Sequence, residues 1–518
     1  MQIQFILTSD THAQWQDHPN HPGYSLLNTA SLIRKLRQDH LGPTIQIDLG
    51  DFIQGSSMAT YTGKVKEDGD VYSRVMNQLD YHYQIIGNHE FNFGRQYQDS
   101  ALDGLNAKIL CSNIVQQDTD LPFKGAAYDI LDFNGQKIGI IGVTTHYIPH
   151  WELPAHYQGL QFKDAFETVK EYVHRLRDRV DLLVVAYHGG FERDLVTGLP
   201  TEELTGENQG YQMLEEISGI DLLLTGHQHR IICETYKQTL CLQPGYGGET
   251  VGQALVEMEA GEILSVQGAL HSFEEHEANR LIKDVLEPEY SDSLEWLSEI
   301  LGYASIISPT QSEAEARIEG HPFIEYINYL IKKEMKADFA GSSLLNHHFA
   351  EFQGEVTRET LLKIYPFYNL IAKVKVSGEA LYSIMEHNMA YFDLDSGGEI
   401  IVNPSYLSPK PKHYNYDLYT GFTTEVDLSR TVSNRVLTII DERTQRPIDR
   451  DKDYTLAVTQ YRAVGGGDYR DFSSDKIIQM SQEDIATLIQ KGLKELKQKE
   501  WDFINHHYQH VVWRHPLQ

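Results

Sequence analysis

Six short apolar runs rich in β-branched residues divide the first 250 positions: QIQFILTS, TIQIDLG, YQIIG, KIGIIGVT, DLLVVAY and IDLLLTG. Runs this continuous predict strands buried on both faces. Stretches with helical spacing separate them; over residues 25–37, Leu26, Ala30, Ile33 and Leu36 fall on one face. Buried strands alternating with helices predict a layered α/β domain, its sheets flanked by helices, over residues 1–273. Between 274 and 319 the pattern turns helical and acidic (Glu274, Glu275, Glu277, Asp284, Glu287, Glu289) and predicts a linker. A second, α+β domain is expected over 320–518. It opens on a helix over HPFIEYINYLIKKEM and continues through the strand-like runs LIAKVKV, RVLTII and YTLAVT. An amphipathic helix is expected from Ser481, where Ser481 and Asp484 match a capping box and Ile485, Leu488, Ile489 and Leu493 supply the buried face. VVWRH reads as a closing strand and SPKPK at 408–412 as an exposed loop.

A chain of 518 residues exceeds one ordinary core, in keeping with two domains. Acidic residues outnumber basic ones by 74 to 44, a formal net charge of −30. Such a surface repels a nucleic-acid backbone, so no nucleic-acid polymer is expected as partner. An anionic small molecule would need local positive charge, and bound metal is the obvious source. Cys111, Cys233 and Cys241 are too few for a disulfide framework and point to a reducing compartment. No apolar run is long enough to span a bilayer, so no membrane partner is expected. The opening MQIQFILTSD leads straight into a strand, which predicts a cytoplasmic protein as written, and a secreted or periplasmic one if the numbering is of a processed form.

The polar residues that carry chemistry collect where the strand-like runs end. These are Asp10-Thr-His12, Gly50-Asp51, Gly87-Asn88-His89-Glu90, His188, and Gly226-His227-Gln-His229. Ligands of open α/β sheets bind beyond the carboxyl ends of strands. Asp10, His12, Asp51, Asn88, His188, His227 and His229 make seven oxygen and imidazole donors, too many for one four-coordinate ion but enough for two that share a carboxylate. Asp51 is the natural bridge. A donor set without thiolate suits two divalent ions of the Mn, Zn, Fe, Mg or Ca kind. Such a pair would bind and deprotonate water and clamp a phosphoryl group for in-line attack. A lone D-x-H or G-D is usually a turn; five such elements, each at a strand end, make coincidence improbable.

The run D-x-H, G-D, G-N-H-E, H and G-H-x-H resembles that of the calcineurin-like metallophosphoesterases, and the second domain resembles the C-terminal domain of the 5′-nucleotidase family. TASLIRKL, GDFIQGS, GNHEFNFG, HGGFERD, ENQGY and TGHQHR are most similar to the 2′,3′-cyclic-nucleotide 2′-phosphodiesterase/3′-nucleotidase branch. The resemblance implies one metal on Asp10, His12, Asp51 and His229, and another on Asp51, Asn88, His188 and His227. It implies His89 as the catalytic histidine beside the scissile phosphate. In the 5′-nucleotidase branch an aspartate three residues later orients that histidine; here Asn92 stands there. An amide accepts the imidazole N–H but stabilises imidazolium less, which fits the cyclic-phosphodiesterase branch.

The segments YNYDLYTGF at 414–422 and QYRAVGGGDY at 460–469 resemble the family's base-binding segments, where two aromatic rings sandwich the nucleobase. Tyr461 takes the second aromatic position. Tyr416 is the expected first, with Tyr414 its nearest competitor. The implied substrate is a small nucleotide bridging both domains, with the acidic linker as hinge. His347-His348 and the HHYQH tail at 506–510 read as loop or surface histidines. The expected activity is hydrolysis of 2′,3′-cyclic nucleotides and 3′-nucleotides. A 5′-nucleotidase or cyclic-dinucleotide phosphodiesterase is the enzymatic alternative, and a metal-dependent nucleotide-binding protein without turnover the alternative of another class. Oligomeric state has no signal in the sequence.

Overall fold

The computed structural model describes residues 1–15, 25–272, 280–309, 311–365, 369–407 and 411–514. Glu274, Glu275 and Glu277 of the expected linker, and Ser408, Pro409 and Lys410 of the expected loop, lie outside the described residues. The chain separates into two compact units, residues 1–295 and 296–518.

Two six-stranded sheets form the centre of the first unit. In one, Gln2–Thr8 pairs in parallel with Thr44–Asp48, followed by Tyr83–Ile85 and Lys108–Leu110, while Thr250–Glu259 and Glu262–Ser272 extend the other side antiparallel. In the other, Gln136–Thr144, Leu182–His188, Leu222–Thr225 and Thr239–Pro244 run parallel between two antiparallel edge strands. Side chains alternate across each strand. Ile3, Phe5 and Leu7 join Ile138, Ile140, Leu182 and Val184 in one core between the sheets. Their neighbours point outward. Ile6 packs beneath the helix Leu26–Asp39, and Ile141, Val143, Leu183 and Val185 pack beneath the helix Ala165–Leu176. Apolar residues on both faces are therefore what a helix–sheet–sheet–helix stack requires. Parallel pairing also brings the carboxyl ends of the strands to a common edge of each sheet.

The expected linker is divided between the two units. Arg280–Leu297 is a helix whose Ile282 and Leu286 join the first unit's core, and Glu289 on it accepts from Arg74 at 2.6 Å. Ile300–Ala304 pairs with Gly354–Thr357 in the second unit.

The second unit contains a five-stranded mixed sheet and a four-stranded sheet. The helix Pro322–Met335 forms where HPFIEYINYLIKKEM predicts it, with Pro322 in its first turn and His321 as its N-cap. The expected helix at 481 starts later. Ile477–Asp484 is a strand, and Ser481 Oγ accepts the N–H of Ile371 at 2.9 Å. Asp484 is the cap, accepting from the Thr487 N–H at 2.8 Å, and the helix runs Ile485–Glu495 with all four expected apolar residues buried. The capping box fails because strand pairing claims Ser481. The layered α/β unit and the α+β unit are those expected. Val511–Trp513 supplies the closing strand, pairing in parallel with Phe422–Val426. The three cysteines are free. Among the described residues no helix is long and apolar enough to cross a membrane.

Candidate active site

The loops that leave the parallel strands of the first unit turn sharply. Five of the seven expected ligands adopt the left-handed backbone region: Asp10 (φ 52°), His12 (51°), Asp51 (58°), His227 (67°) and His229 (57°). Each such residue costs about 1–2 kcal/mol, a concentration of strain typical of functional loops. Gly87 is required by close approach, since a Cβ there would lie 2.6 Å from the Asp51 nitrogen and 2.8 Å from Glu90 Oε2.

Three groups of donors have ligand atoms within 4.8 Å of one another: Asp10, His12 and His229; His12, Asp51 and His89; and Asp51, His188 and His227. Asp51 belongs to two of them. His188 Nε2 lies 3.2 Å from Asp51 Oδ2 and 3.0 Å from Asn88 Oδ1, so Asn88 joins the last group. His12 Nε2 and His229 Nε2 are 2.9 Å apart, and His229 Nε2 is 3.5 Å from Asp10 Oδ1. All seven expected ligands are thus brought together with His89.

The backbone sets the imidazoles. His12 Nδ1 donates to the Gln54 carbonyl at 2.9 Å, and His188 Nδ1 to the Leu49 carbonyl at 2.7 Å. Each bond leaves Nε2 aimed at the donor set, the arrangement usual for metal-binding histidines. The electrostatics favour a cation here. Burial disfavours the Asp51 carboxylate, yet His188, His89 and His12 hold it well below the usual range. Burial also disfavours a charged His188, but Asp51 outweighs it and pushes the imidazole up to about 10. Convergent carboxylate, amide and imidazole donors, two of the rings oriented by the backbone with Nε2 toward the cluster, fit divalent metal.

His89 follows Asn88 at the start of a short turn and donates its backbone N–H to Asp51 Oδ1 at 2.8 Å. Its Nδ1 lies 2.6 Å from Asn92 Oδ1, so the expected pair is in contact.

Three supporting carboxylates, Glu90, Glu207 and Glu152, have no role assigned by the sequence motifs. Glu90 is fully buried and accepts the backbone N–H of Asp51 (2.8 Å), Phe52 (2.8 Å) and Gly87 (2.5 Å), joining two ligand loops. Burial and the neighbouring Asp51 push it up to about 8. Glu207 lies 2.9 Å from His227 Nε2. Glu152 accepts from Asn92 Nδ2 at 2.8 Å. Glu90 and Glu207 stand inside the quoted GNHE and ENQGY, where they could have been suspected. Nothing around Glu152 signals it.

On the second unit the structure corrects Tyr416. That ring is only 1% exposed, stacked on Tyr391 at 5.0 Å and edge-on to Phe392, so neither face is open to a base. Tyr414 lies in the short turn His413–Asn415 that precedes the strand Asp417–Thr420, and its ring is exposed instead. Tyr414 and Tyr461 are 38% and 42% exposed, their ring centroids 6.4 Å apart at 67°. Arg462 fixes both segments: it donates to Asp417 Oδ2 at 2.6 Å, to the Tyr414 carbonyl at 2.9 Å and to the Gly466 carbonyl. The tail histidines are also corrected in part. His510 is not a surface group, for it lies between Glu325 Oε2 (2.9 Å) and Glu442 Oε1 (2.7 Å) with 10% of its side chain exposed.

Comparison with known proteins agrees with this geometry. Residues 3–230 match the Calcineurin-like phosphoesterase family, and residues 301–474 match the 5′-nucleotidase, C-terminal domain. A Staphylococcus aureus structure assigned as a 5′-nucleotidase, in complex with alpha-ketoglutarate, has a TM-score of 0.86 and 32% identity over 99% of this chain and 100% of its own. The 2′,3′-cyclic-nucleotide 2′-phosphodiesterase/3′-nucleotidase of Salmonella typhimurium is 23% identical over 90% of this chain and 81% of its own length. The trifunctional nucleotide phosphoesterase protein YfkN of Bacillus subtilis is 22% identical over 92% of this chain, which spans only 36% of that protein. The chain belongs to the calcineurin-like phosphoesterases that carry a 5′-nucleotidase C-terminal domain, and it is a metal-dependent hydrolase of phosphoesters.

Proposed function

We propose that this enzyme hydrolyses 2′,3′-cyclic nucleotides and 3′-nucleotides with two divalent metal ions. The observation that carries the reading is the contact of His89 with an amide, Asn92, beside the convergent donor set. Asp10, His12, Asp51 and His229 would hold one ion, and Asp51, Asn88, His188 and His227 the other. Bound there, the ions supply Lewis-acid chemistry, acidifying water and offsetting phosphoryl charge.

The chain's own groups do the rest. Asp51, held as the anion, shares its carboxylate between the two donor groups. His89, anchored by its N–H on Asp51 and by Nδ1 on Asn92, directs Nε2 toward the reacting phosphate, where it stabilises developing charge or assists the leaving oxygen. Tyr461, with Tyr414 rather than Tyr416, offers a stacking surface for a nucleobase, at about 1–3 kcal/mol per base. The branch names of the Salmonella typhimurium relative and of similar proteins from Yersinia enterocolitica and Haemophilus influenzae support the cyclic and 3′ substrates.

The likeness to the Staphylococcus aureus structure favours a second reading, 5′-nucleotide hydrolysis. A panel of 2′,3′-cyclic AMP, 3′-AMP, 5′-AMP and a cyclic dinucleotide, assayed with several divalent metals, separates the two. Higher kcat/KM on the first two substrates is expected. Preference for 5′-AMP would replace the proposal with the second reading.

A further inference from the structure

The amide that stands beside His89 has two ends, and both are engaged. Asn92 Oδ1 faces His89 Nδ1 at 2.6 Å, while Asn92 Nδ2 donates to Glu152 Oε2 at 2.8 Å. Glu152 is itself held: Oε1 accepts the Leu153 N–H at 2.8 Å and lies 2.8 Å from His156 Nδ1, and its side chain is only 8% exposed. An ionised carboxylate only accepts hydrogen bonds. The amide nitrogen must therefore face Glu152, because the reverse orientation would set carbonyl oxygen against carboxylate oxygen. That choice leaves Oδ1, also an acceptor, for His89. His89 Nδ1 must then carry a proton, and Nε2 is the nitrogen left to work at the phosphate.

The two halves of this chain come from different sheets. His89 and Asn92 lie on the loop after Tyr83–Ile85, and Glu152 follows the short turn Ile148–His150 beyond Gln136–Thr144. A negative charge absent at position 92 is present one side chain farther out, connected through the amide.

We propose that Glu152 is a positioning residue for phosphoester hydrolysis, locking the Asn92 amide and, through it, the tautomer and orientation of His89. The proposal rests on the reading of His89 as the catalytic histidine. It assigns to a carboxylate on a separate loop the task that a directly bonded aspartate would otherwise perform.

The test compares wild type, E152Q, N92D, the exchange N92D/E152Q and H89A, each loaded with a diamagnetic divalent cation. Activity on 2′,3′-cyclic AMP is read beside heteronuclear NMR of ring-labelled histidine. E152Q keeps the volume but loses the charge and the one-way hydrogen-bond polarity. Its kcat is expected to fall about tenfold to a hundredfold, the scale of outer-shell partners, with KM and bound metal unchanged. Its His89 ring signals should move away from the Nδ1–H tautomer. N92D alone sets two carboxylates against each other and should also lose kcat. The exchange restores one charge and the same chain of bonds, and should recover most of the loss. Wild-type kcat with unshifted His89 signals in E152Q would overturn the proposal, as would an exchange variant no better than the product of the two single losses. Full activity in H89A would instead remove the reading of His89 as catalytic, while the NMR comparison would still decide whether Glu152 sets its tautomer.

Discussion

Asp51 turns through the left-handed region at φ 58°, faces His188 Nε2 at 3.2 Å and accepts the His89 N–H at 2.8 Å. One carboxylate serves both donor groups, so Asp51→Asn should remove metal and activity together. Elemental analysis of the purified variant checks this, and two ions bound at full occupancy would refute the bridging role. His89 differs, since it lies near the donors while its Nδ1 is engaged with Asn92. His89→Ala should keep both metals and lose kcat by roughly 10²–10⁴-fold, the usual scale for acid–base assistance. Elemental analysis and turnover of the same preparation separate the two roles, and a variant with wild-type kcat would make the histidine structural.

Elements are held by groups that periodicity alone does not reveal. The helix Ile485–Glu495 is capped by Asp484, so Asp484→Ala should cost about 1 kcal/mol in urea unfolding. Ser481→Ala should leave the amide of Thr487 as protected from hydrogen exchange as in wild type, because Ser481 bonds the Ile371 N–H across a strand pair. His510 joins the segment before the last strand to the helix Pro322–Met335 through Glu325 and to Glu442 beyond the strand Val436–Asp441. Burial disfavours its cation, but the bonds to the two glutamates outweigh it and push the imidazole up to about 10. A group raised above its unfolded value near 6.5 contributes fully below that pH. The contribution of His510 is therefore expected below pH 6.5 and lost as pH rises through about 10. The difference in unfolding free energy between wild type and His510→Ala, followed across this range, should shrink at the alkaline end. A difference that grows with pH would show that the triad is not ionic.

At the scale of the whole molecule, the phosphoester chemistry resides in the first unit and the proposed base platform in the second. Tyr461→Ala should raise KM for nucleotides while leaving hydrolysis of a small phosphodiester without a base nearly intact. Equal losses on both substrates would assign Tyr461 to the fold or the metal site and end the base-stacking reading. The 42% exposure of Tyr461 favours a surface role, whereas Tyr416, enclosed by Tyr391 and Phe392, belongs to the core.

By itself the sequence determined the layered α/β unit, the α+β unit after it and the order of donors at the strand ends. Those features are local: an apolar run marks a doubly buried strand, and a short polar motif marks the loop that leaves it. The family resemblance rested on the same short motifs. Tertiary structure decided what depends on contact between distant segments. Asn92 meets Glu152 across 60 residues, and His510 meets Glu325 across 185. Neither glutamate differs in type or spacing from the many acidic residues that face solvent. Tyr414 and Tyr416 are two positions apart, both plausible as a ring for a base, and only packing against Tyr391 buries the latter. Ser481 and Asp484 satisfy a capping pattern, but pairing with the strand Leu370–Ser377 carries the backbone past Ser481 before it can coil. Backbone periodicity is written in neighbouring residues; burial, charge compensation and the direction of a hydrogen bond depend on which remote segment packs against them.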